Sequence, residues 1–349
     1  MNPLLARLGI TTPIIQAPLA GGGDTPELAA AVSNAGALGF LGCNYLSTDA
    51  IAVRCRQVRE LSSKPFGANL FAPTIGEPAS DIKATLDALR PFYAELGLGL
   101  PEIQTSPLQF DAQLDTILDS DASVFSFTCG LVDKKVIDRV HRAGKLVLGT
   151  ATTVAEGRAL CELGVDGVIA QGAEAGGHRA TFLESPADGR VGLFALVPQL
   201  EDAIDVPIVA SGAIMNGRGI AAALALGASA VQMGTAFLWC PESGINTSYR
   251  NALAKARDDS SVVTQSFSGK PARGIANRFI REMTDKPHAG FPIQNELTRP
   301  LREAAKRRDL ADFQSLWAGQ AAGTGRALPA AKLVNTLMSE FDTTRKRWG

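Results

Sequence analysis

Residues 206–235 read VPIVASGAIMNGRGIAAALALGASAVQMGT, and this stretch decides the fold. Two short apolar runs, Pro207 to Ala210 and Ala230 to Met233, enclose an alanine-rich segment from Gly217 to Leu226 that ends at Gly227. Continuous apolar runs of this length are typical of strands buried on both faces, and a glycine directly after an apolar helical segment is typical of a helix C-terminus. The stretch therefore predicts a strand, a helix and a second, parallel strand.

The same unit recurs along the chain, because short apolar runs alternate with amphipathic segments from residue 14 to about residue 257. The eight runs are Ile14 to Ala17, Ala37 to Leu41, Phe66 to Leu70, Ser123 to Phe127, Leu146 to Leu148, Gly167 to Ala170, Pro207 to Ala210 and Ala230 to Met233. Eight strand–helix repeats favour an α/β fold of the TIM (β/α)8 barrel type. On counting alone, a doubly wound sheet stays open.

Helix starts can be identified between the runs. Thr25 precedes Pro26, which suits an N-cap followed by proline at the first helical position. Thr153 stands three residues before Glu156, which is the pattern of a capping box. Both positions predict helices that follow a strand directly.

Two regions exceed a minimal repeat. Residues 72–122 are too long for one crossover, so we expect an extra helical piece there. After the eighth strand the chain is rich in Gly, Pro, Arg and Asn. We therefore predict a barrel domain at residues 1–257, an insertion or cap over the barrel mouth at 258–330, and a C-terminal helix at 331–349.

Composition excludes several classes of protein. The 349 residues carry 34 Lys and Arg against 35 Asp and Glu, so a broad electrostatic footprint for nucleic acid is not expected. The start lacks a secretory signal and no apolar run reaches about 18 residues, which predicts a cytoplasmic protein without a membrane span. The cysteines are odd in number and form no CxxC pair, so we expect neither disulfides nor a zinc site.

The loop after the sixth run is the first candidate for chemistry. It reads Ala170-Gln171-Gly172-Ala173-Glu174-Ala175-Gly176-Gly177-His178-Arg179, at a strand end where barrel active sites form. Its glycines let the backbone approach a planar ligand, and His178 is a candidate general base because imidazole titrates near neutral pH. The alternative is a tight turn at Gly176-Gly177, with His178 bonded only to the backbone. Arg179 either lowers the pKa of His178 or faces solvent.

The loops after the seventh and eighth runs are candidates for phosphate binding. Backbone N–H groups of Gly212, Ala213, Gly234 and Thr235, with the Thr235 hydroxyl, suit a dianion. No GxxxxGK[ST] motif accompanies them, so this is not a nucleoside-triphosphate loop. The alternative is that the glycines only permit tight strand-to-helix turns.

Two further strand ends carry ligand candidates. Gly21, Gly22 and Gly23 follow the first run and allow backbone contact with a flat ring, although an ordinary flexible loop has the same composition. Asn69 lies at the mouth of the third run, where it either contacts a ligand or caps the next segment.

The remaining histidines and cysteines are weaker candidates. His141 fits a helix surface, His288 fits a loop, and Cys129 lies just past the fourth strand, where a buried, inert thiol is expected. No His, Asp and Glu cluster has metal-ligand spacing, and no GxSxG elbow is present.

Taken together, these segments resemble the nitronate monooxygenase family, formerly called 2-nitropropane dioxygenases, in its class I bacterial form. The order and spacing of the motifs carry the resemblance over nearly the whole chain. The segments are Pro13 to Pro18, Ala20 to Gly23, Asn69 to Pro73, Gly172 to His178, Ala210 to Ala213, Val231 to Phe237, Phe291 to Thr298 and Leu316 to Gln320.

The resemblance implies a TIM barrel that binds FMN across its mouth and oxidises alkyl nitronates, such as propionate 3-nitronate, with O2 to a carbonyl compound and nitrite. His178 matches the family's active-site histidine; it would orient an anionic nitronate as a donor, or remove the α-proton of a neutral nitroalkane. The implied partners are a small nitronate and O2, with no nucleic acid or membrane, in a monomer or homodimer. The positions that match flavin contacts, together with their neighbours in the same loops, are Gly21, Gly22, Gly23, Asn69, Gln171, Gly176, Gly177, Gly212, Ala213, Gln232, Met233, Gly234 and Thr235.

Three alternatives are weighed against this function. An FMN-dependent NAD(P)H reductase, of the enoyl-ACP or quinone type, resembles the same glycine–histidine loop. A non-catalytic FMN-binding protein would keep the barrel without turnover. An IMP-dehydrogenase-like barrel needs a nucleophilic cysteine that residues 171–182 lack.

One departure from the family pattern concerns the cap. Some relatives place tyrosine or lysine over the flavin from the late segment, whereas residues 286–298 here offer His288, Phe291, Gln294 and Asn295. The chain's three tyrosines are Tyr45, Tyr93 and Tyr249. The substrate preference therefore stays open.

Overall fold

The computed structural model describes residues 2–73, 82–102, 109–183 and 190–347. Strands within these ranges are β1 (Ile14–Gln16), β2 (Gly39–Gly42), β3 (Phe66–Phe71), β4 (Val124–Thr128), β5 (Leu146–Ala151), β6 (Gly167–Gln171), β7 (Gly177–His178), β8 (Ile208–Ser211), β9 (Ala230–Met233), β10 (Ser261–Thr264) and β11 (Ala272–Ile275).

Parallel strands close into a barrel. The order is β1-β9-β8-β6-β5-β4-β3-β2, and every pair in it is parallel. The two end strands also meet, because Gln16 N donates to Leu38 O at 2.8 Å and Leu38 N donates to Ile14 O at 3.0 Å. The predicted TIM barrel is confirmed, and the doubly wound alternative is wrong because such a sheet keeps two open edges.

Helices follow the strands as the repeat predicts. Those in the described ranges are α1 (Pro3–Leu8), α2 (Pro26–Asn34), α3 (Thr48–Leu61), α4 (Ile82–Glu95), α5 (Phe110–Leu118), α6 (Lys134–Arg142), α7 (Val154–Leu163), α8 (Leu193–Glu201), α9 (Gly217–Ala225), α10 (Thr235–Leu238), α11 (Thr247–Lys255), α12 (Arg278–Met283), α13 (Ile293–Arg307) and α14 (Ala330–Arg345), with short 3-10 turns at Ala311–Phe313 and Ala322–Thr324.

The helix starts lie where the sequence places them. Thr25 Oγ1 accepts from Leu28 N at 3.0 Å, and Thr153 Oγ1 accepts from Glu156 N at 3.2 Å. The capping box at Thr153 is only half formed, because the buried Glu156 carboxylate accepts instead from the backbone and hydroxyl of Thr152. The long region at 72–122 holds α4 and α5, while residues 74–81 and 103–108 lie outside the described ranges.

Apolar side chains fill the barrel from its N-terminal end. Leu4 and Leu8 of α1 pack with Phe40, Leu148 and Ile169 in one buried cluster. A larger cluster joins the outer helices to the strands, and it includes Leu333 and Leu337 of α14. Because this packing closes the N-terminal end of the barrel, a ligand site is expected at the C-terminal end.

A second sheet is built at that C-terminal end. It is antiparallel in the order β10-β11-β7, and it pairs Ala272 with His178. A separate apolar cluster joins α4, α12 and α13 beside it, through residues such as Phe92, Phe279 and Leu301. The second sheet and this helical cluster are thus built from segments both before and after residue 258. The division of the chain at that residue stays a prediction.

Within the described ranges, no helix combines the length and apolar character that a bilayer crossing requires.

Candidate active site

A cavity of about 400 Å³ opens at the C-terminal ends of the barrel strands. Its walls come from the segments after β1, β3, β6, β8 and β9 and from α13. Every residue that the sequence marks for catalysis or cofactor binding lines this cavity, although the role of each stays a prediction. These residues are Gly21, Gly22, Gly23, Asn69, Gln171, Gly176, Gly177, His178, Gly212, Ala213, Gln232, Met233, Gly234 and Thr235.

His178 is held by the second sheet rather than by the barrel. Its Nε2 lies 2.9 Å from Ser268 Oγ, and Ser268 donates its hydroxyl proton to Lys270 O at 3.0 Å. Because a serine hydroxyl has one proton, His178 Nε2–H donates to Ser268 when Ser268 donates to Lys270, and the lone pair is then on Nδ1. In the other tautomer, Ser268 donates to Nε2 and the ring proton is on Nδ1.

Aromatic rings surround the imidazole. The ring centroids of Phe71 and Trp317 both lie 5.6 Å from that of His178, and Phe291 lies at 6.2 Å. Burial lowers the pKa of His178 to about 3, with smaller contributions from the charges of Lys270 and Arg302. His178 is therefore neutral near pH 7.

Arg179 behaves differently from both expectations for it. It is buried rather than solvent-facing, with 3% of its surface exposed, and it is not among the charges that lower the pKa of His178. Its guanidinium donates to Gln171 Oε1 at 2.9 Å and to Gly172 O at 2.7 Å. Arg179 thereby holds the loop after β6 in place.

Gln171 is tied to the same loop. Its Nε2 donates to His178 O at 2.9 Å, and its Oε1 accepts from Ala180 N at 3.0 Å as well as from Arg179. The second Nε2 proton of Gln171 has no acceptor among the described residues, so it can donate to a ligand.

The loop after β1 is anchored by a buried carboxylate. Asp24 Oδ2 accepts from Leu19 N at 2.6 Å and from Gly42 N at 2.8 Å, while Oδ1 pairs with Arg54 at 2.9 Å. Burial raises the pKa of Asp24, and the charge of Arg54 opposes that rise. Gly21 and Gly22 next to this anchor have φ of 95° and 99°, a conformation that side chains rarely adopt.

The loops after β8 and β9 present backbone donors. Gly212 and Ala213 have φ of 143° and 50°, so this turn leaves the extended strand conformation abruptly. In the described part of the chain, the N–H groups of Gly212, Ala213, Gly234 and Thr235 have no protein acceptor. Thr235 Oγ1 accepts from Gly319 N at 3.0 Å and keeps its own proton to donate.

Two side-chain acceptors in the cavity lack a partner among the described residues. Gln232 is 8% exposed, and its buried Oε1 has no hydrogen bond. Asn69 gives both Nδ2 protons to Ser126, at 3.1 Å and 2.8 Å, which leaves its Oδ1 free. An unpaired buried acceptor costs free energy, so Gln232 Oε1 suits a bound molecule with N–H or O–H groups, and Asn69 Oδ1 can accept from the same molecule.

Sequence reasoning missed the basic face of α13. Arg299, Arg302 and Lys306 line the cavity together with Glu303, and so does Asn295, which the sequence analysis names among the cap residues. The signal was present, because positions three or four residues apart share one face of a helix. Tyr45, Tyr249 and Trp317 also line the cavity, and their positions follow only from the fold.

Other candidates lie elsewhere. Gln294 is fully buried and donates to Ser266 O at 2.7 Å, and His288 bonds Gln265 away from the cavity. His141 is on the surface of α6, next to Asp166. Cys129 is buried outside the cavity, and burial raises its pKa, as expected for an inert thiol. Over the described ranges, no His, Cys, Asp and Glu group has the arrangement of a metal site.

Comparisons with known proteins agree with this architecture. The family model "Nitronate monooxygenase" matches residues 2–340. A "Probable nitronate monooxygenase" of Staphylococcus aureus (strain MSSA476) is 40% identical over 348 residues, which is 98% of this chain and 97% of that protein.

Two solved structures extend the comparison. Nitroalkane oxidase from Streptomyces ansochromogenes has a TM-score of 0.93 and 40% identity, covering 99% of each chain. FabK from Thermotoga maritima has a TM-score of 0.78 and 28% identity, covering 100% of this chain and 98% of that one.

Proposed function

Because this chain belongs to the nitronate monooxygenase family, we propose that it uses FMN and O2 to oxidise a nitronate to a carbonyl compound and nitrite. The chain is an oxidoreductase by its family. The observation that carries the finer proposal is one cavity that combines a neutral histidine, the unpaired buried acceptor Gln232 Oε1 and backbone donors without an acceptor among the described residues.

The donor and acceptor set fits FMN. The N–H groups of Gly212, Ala213, Gly234 and Thr235 suit the phosphate dianion, because they lack acceptors among the described residues. Gln232 Oε1 suits a flavin or ribityl donor, since it is otherwise buried without a partner. When bound, FMN supplies the one-electron chemistry with O2 that side chains lack.

His178 acts here as a neutral group. When its Nε2 proton is on the hydrogen bond to Ser268, Nδ1 carries the lone pair and does not donate to a nitronate; the role of His178 as a donor therefore stays a prediction that depends on the other tautomer. A nitroalkane needs a base for its α-proton, but a base whose pKa is about 3 is poorly matched to neutral pH. The charges of Lys270 and Arg302, which act on His178, attract an anion instead. We therefore propose that the substrate enters as the nitronate.

The test is O2 uptake by the FMN-loaded protein with propionate 3-nitronate, beside 3-nitropropionate and beside NADH. We expect rapid uptake and nitrite release with the nitronate, slow uptake with the nitroalkane and none with NADH alone. His178→Ala should keep FMN and lose about tenfold or more of kcat/KM, because it removes the neutral ring that positions the substrate in the cavity. His141→Ala, on the exposed face of α6, is the matched control.

Two results would reject the proposal. NADH consumption that starts when a quinone or an enoyl thioester is added, without nitronate turnover, would assign the reductase function. A flavin-bound protein inert to nitronate and NADH alike would support the non-catalytic alternative.

A further inference from the structure

We propose that Arg302 and Tyr45 form a second anion site in the cavity, which binds a carboxylate carried by the nitronate substrate. The inference rests on the proposed function and names the residues that would recognise the carboxylate of a substrate such as propionate 3-nitronate. It concerns residues on α13 and after β2, which are separate from the loops expected to hold the cofactor.

Arg302 is a largely buried cation without a carboxylate beside it. Its Nε donates to Thr298 Oγ1 at 3.2 Å, and its Nη2 donates to Asn295 O and Oδ1, both at 2.8 Å. These acceptors are neutral, and among the described residues no acidic group lies within ion-pair distance of Arg302. Burial lowers the pKa of Arg302, which reflects the cost of holding this charge away from water.

The held side chain keeps donors for a ligand. Asn295 and Thr298 are buried, at 3% and 0% exposure, so they fix the guanidinium from one side. Nη1 has no acceptor in the described part of the chain, and Arg302 lines the cavity. A preorganised guanidinium with a free edge suits a carboxylate, because its planar donors match the two oxygens.

Tyr45 supplies a second donor. Its hydroxyl is buried, lines the cavity and has no hydrogen-bond partner among the described residues. Its ring meets Phe71 edge-on at 5.8 Å, and Phe71 in turn contacts His178. Burial raises the pKa of Tyr45, with Arg302 as the largest opposing charge, so Tyr45 is a neutral donor near that cation.

Neighbouring carboxylates act on Arg302 only at a distance, because Glu296 and Glu303 oppose the lowering of its pKa but neither forms an ion pair with it in the described part of the chain. Arg299 forms an ion pair with Glu296, and Glu303 is exposed. Lys306 is exposed and extends toward Gly22, on the loop after β1. Arg302 therefore remains the cation whose charge acts on both Tyr45 and His178.

This placement favours the substrate over the cofactor phosphate as the anion. The unpaired backbone donors for a phosphate lie after β8 and β9, whereas Arg302 is grouped with His178 and Tyr45. A cation that acts on the residue expected to meet the nitronate can hold a carboxylate of the same small molecule.

The kinetic test compares two nitronates of similar size, propionate 3-nitronate and propyl-1-nitronate. In Arg302→Gln we expect kcat/KM to fall about 30- to 100-fold for propionate 3-nitronate, mainly through KM, and less than threefold for propyl-1-nitronate. Tyr45→Phe should lose about fivefold for the carboxylate substrate alone. Arg307→Gln removes the same charge from an exposed position of α13 and is the control.

A binding test separates this inference from the proposed function. Succinate imitates both anions of propionate 3-nitronate, and butyrate imitates one. By calorimetry on the FMN-loaded protein, we expect succinate to bind about tenfold more tightly than butyrate, and Arg302→Gln to abolish the difference. This result together with no nitronate turnover would reject the function and keep the anion site.

Three outcomes would overturn the anion site. The first is a wild-type protein that does not distinguish succinate from butyrate. The second is an equal loss of kcat/KM for both nitronates in Arg302→Gln. The third is a loss of FMN affinity in place of substrate affinity, measured by flavin fluorescence. Arg302→Lys, which keeps the charge, serves if Arg302→Gln fails to fold, and it should retain part of the preference for propionate 3-nitronate.

Discussion

At the scale of single residues, His178 shows how far an environment can move a side chain from its usual chemistry. The sequence favours a base that titrates near neutral pH. Burial among three aromatic rings, and the charges of Lys270 and Arg302, remove that titration from the physiological range. None of these residues adjoins His178 in the sequence.

The lowered pKa predicts a pH dependence of stability in the cofactor-free protein. As pH falls below 6.5, the unfolded state takes up a proton at position 178, whereas the folded state stays neutral until about pH 3. The unfolded state then binds more protons, so stability falls with pH across this window. His178 should contribute up to about 2 kcal/mol of loss between pH 6.5 and pH 5.

Urea unfolding of the wild type and His178→Gln between pH 5 and pH 8 measures this contribution. We expect the variant to lose less stability on acidification than the wild type. Parallel pH profiles of the two proteins would contradict a neutral His178 in the folded state.

At the scale of elements, the loops at the strand ends use glycine for two different reasons. A Cβ on Gly176 would come within 2.6 Å of backbone atoms of Ala318 and Gly319, so that glycine is required by the protein's own packing. A Cβ on Gly234 would meet Leu19 and Ala17 at 3.4 Å and 3.5 Å, which is ordinary contact. The packing of the protein itself therefore does not require a glycine at position 234, whereas a ligand in the cavity would meet a side chain there.

This contrast predicts opposite defects in two matched variants. Gly176→Ala should lower the free energy of unfolding of the cofactor-free protein by about 1–3 kcal/mol, because backbone must move. Gly234→Ala should change it by less than about 0.5 kcal/mol. In Gly234→Ala we expect FMN affinity to fall about tenfold instead, because the methyl group occupies space in the cavity.

Urea unfolding without cofactor and fluorescence titration with FMN distinguish the two defects. Unchanged FMN affinity in Gly234→Ala would argue against cofactor contact at the loop after β9.

At the scale of the whole molecule, the cavity joins two structures that the chain builds separately. Its floor comes from the ends of the barrel strands, and one wall comes from α13, which packs with α4 and α12. His178 belongs to β7, which lies in the second sheet and not in the barrel sheet, and which pairs with β11. A ligand in the cavity therefore contacts both structures.

Cofactor binding should couple the two structures. At a free FMN concentration 100 times Kd, we expect about 2.7 kcal/mol of added stability. Amide hydrogen exchange should slow in β10, β11 and α13 as well as in the loops after β8 and β9. The amides of α1, at the opposite end of the barrel, are the internal control; slowing confined to the barrel loops would contradict the coupling.

The sequence by itself determined the eight strand–helix repeats and the loops that carry the site, whereas counting alone left the barrel and the doubly wound sheet both open. Each strand is a local run of apolar residues, and each glycine loop follows its own strand, so both can be identified without knowledge of distant contacts. In a closed parallel barrel, all strand ends meet at one mouth, which brings Gly21, Asn69, His178, Gly212 and Gly234 together.

Only the tertiary structure decided the electrostatics of that mouth. The proton on His178 depends on Ser268, which lies 90 residues away in sequence, and the unpaired charge of Arg302 depends on which residues fail to reach it. The pairing of β7 with β11, which positions His178, leaves no periodic signal in two residues of strand. Burial and charge sum over neighbours from all parts of the chain, so a local pattern can name the candidate residues but cannot assign their protonation or their partners.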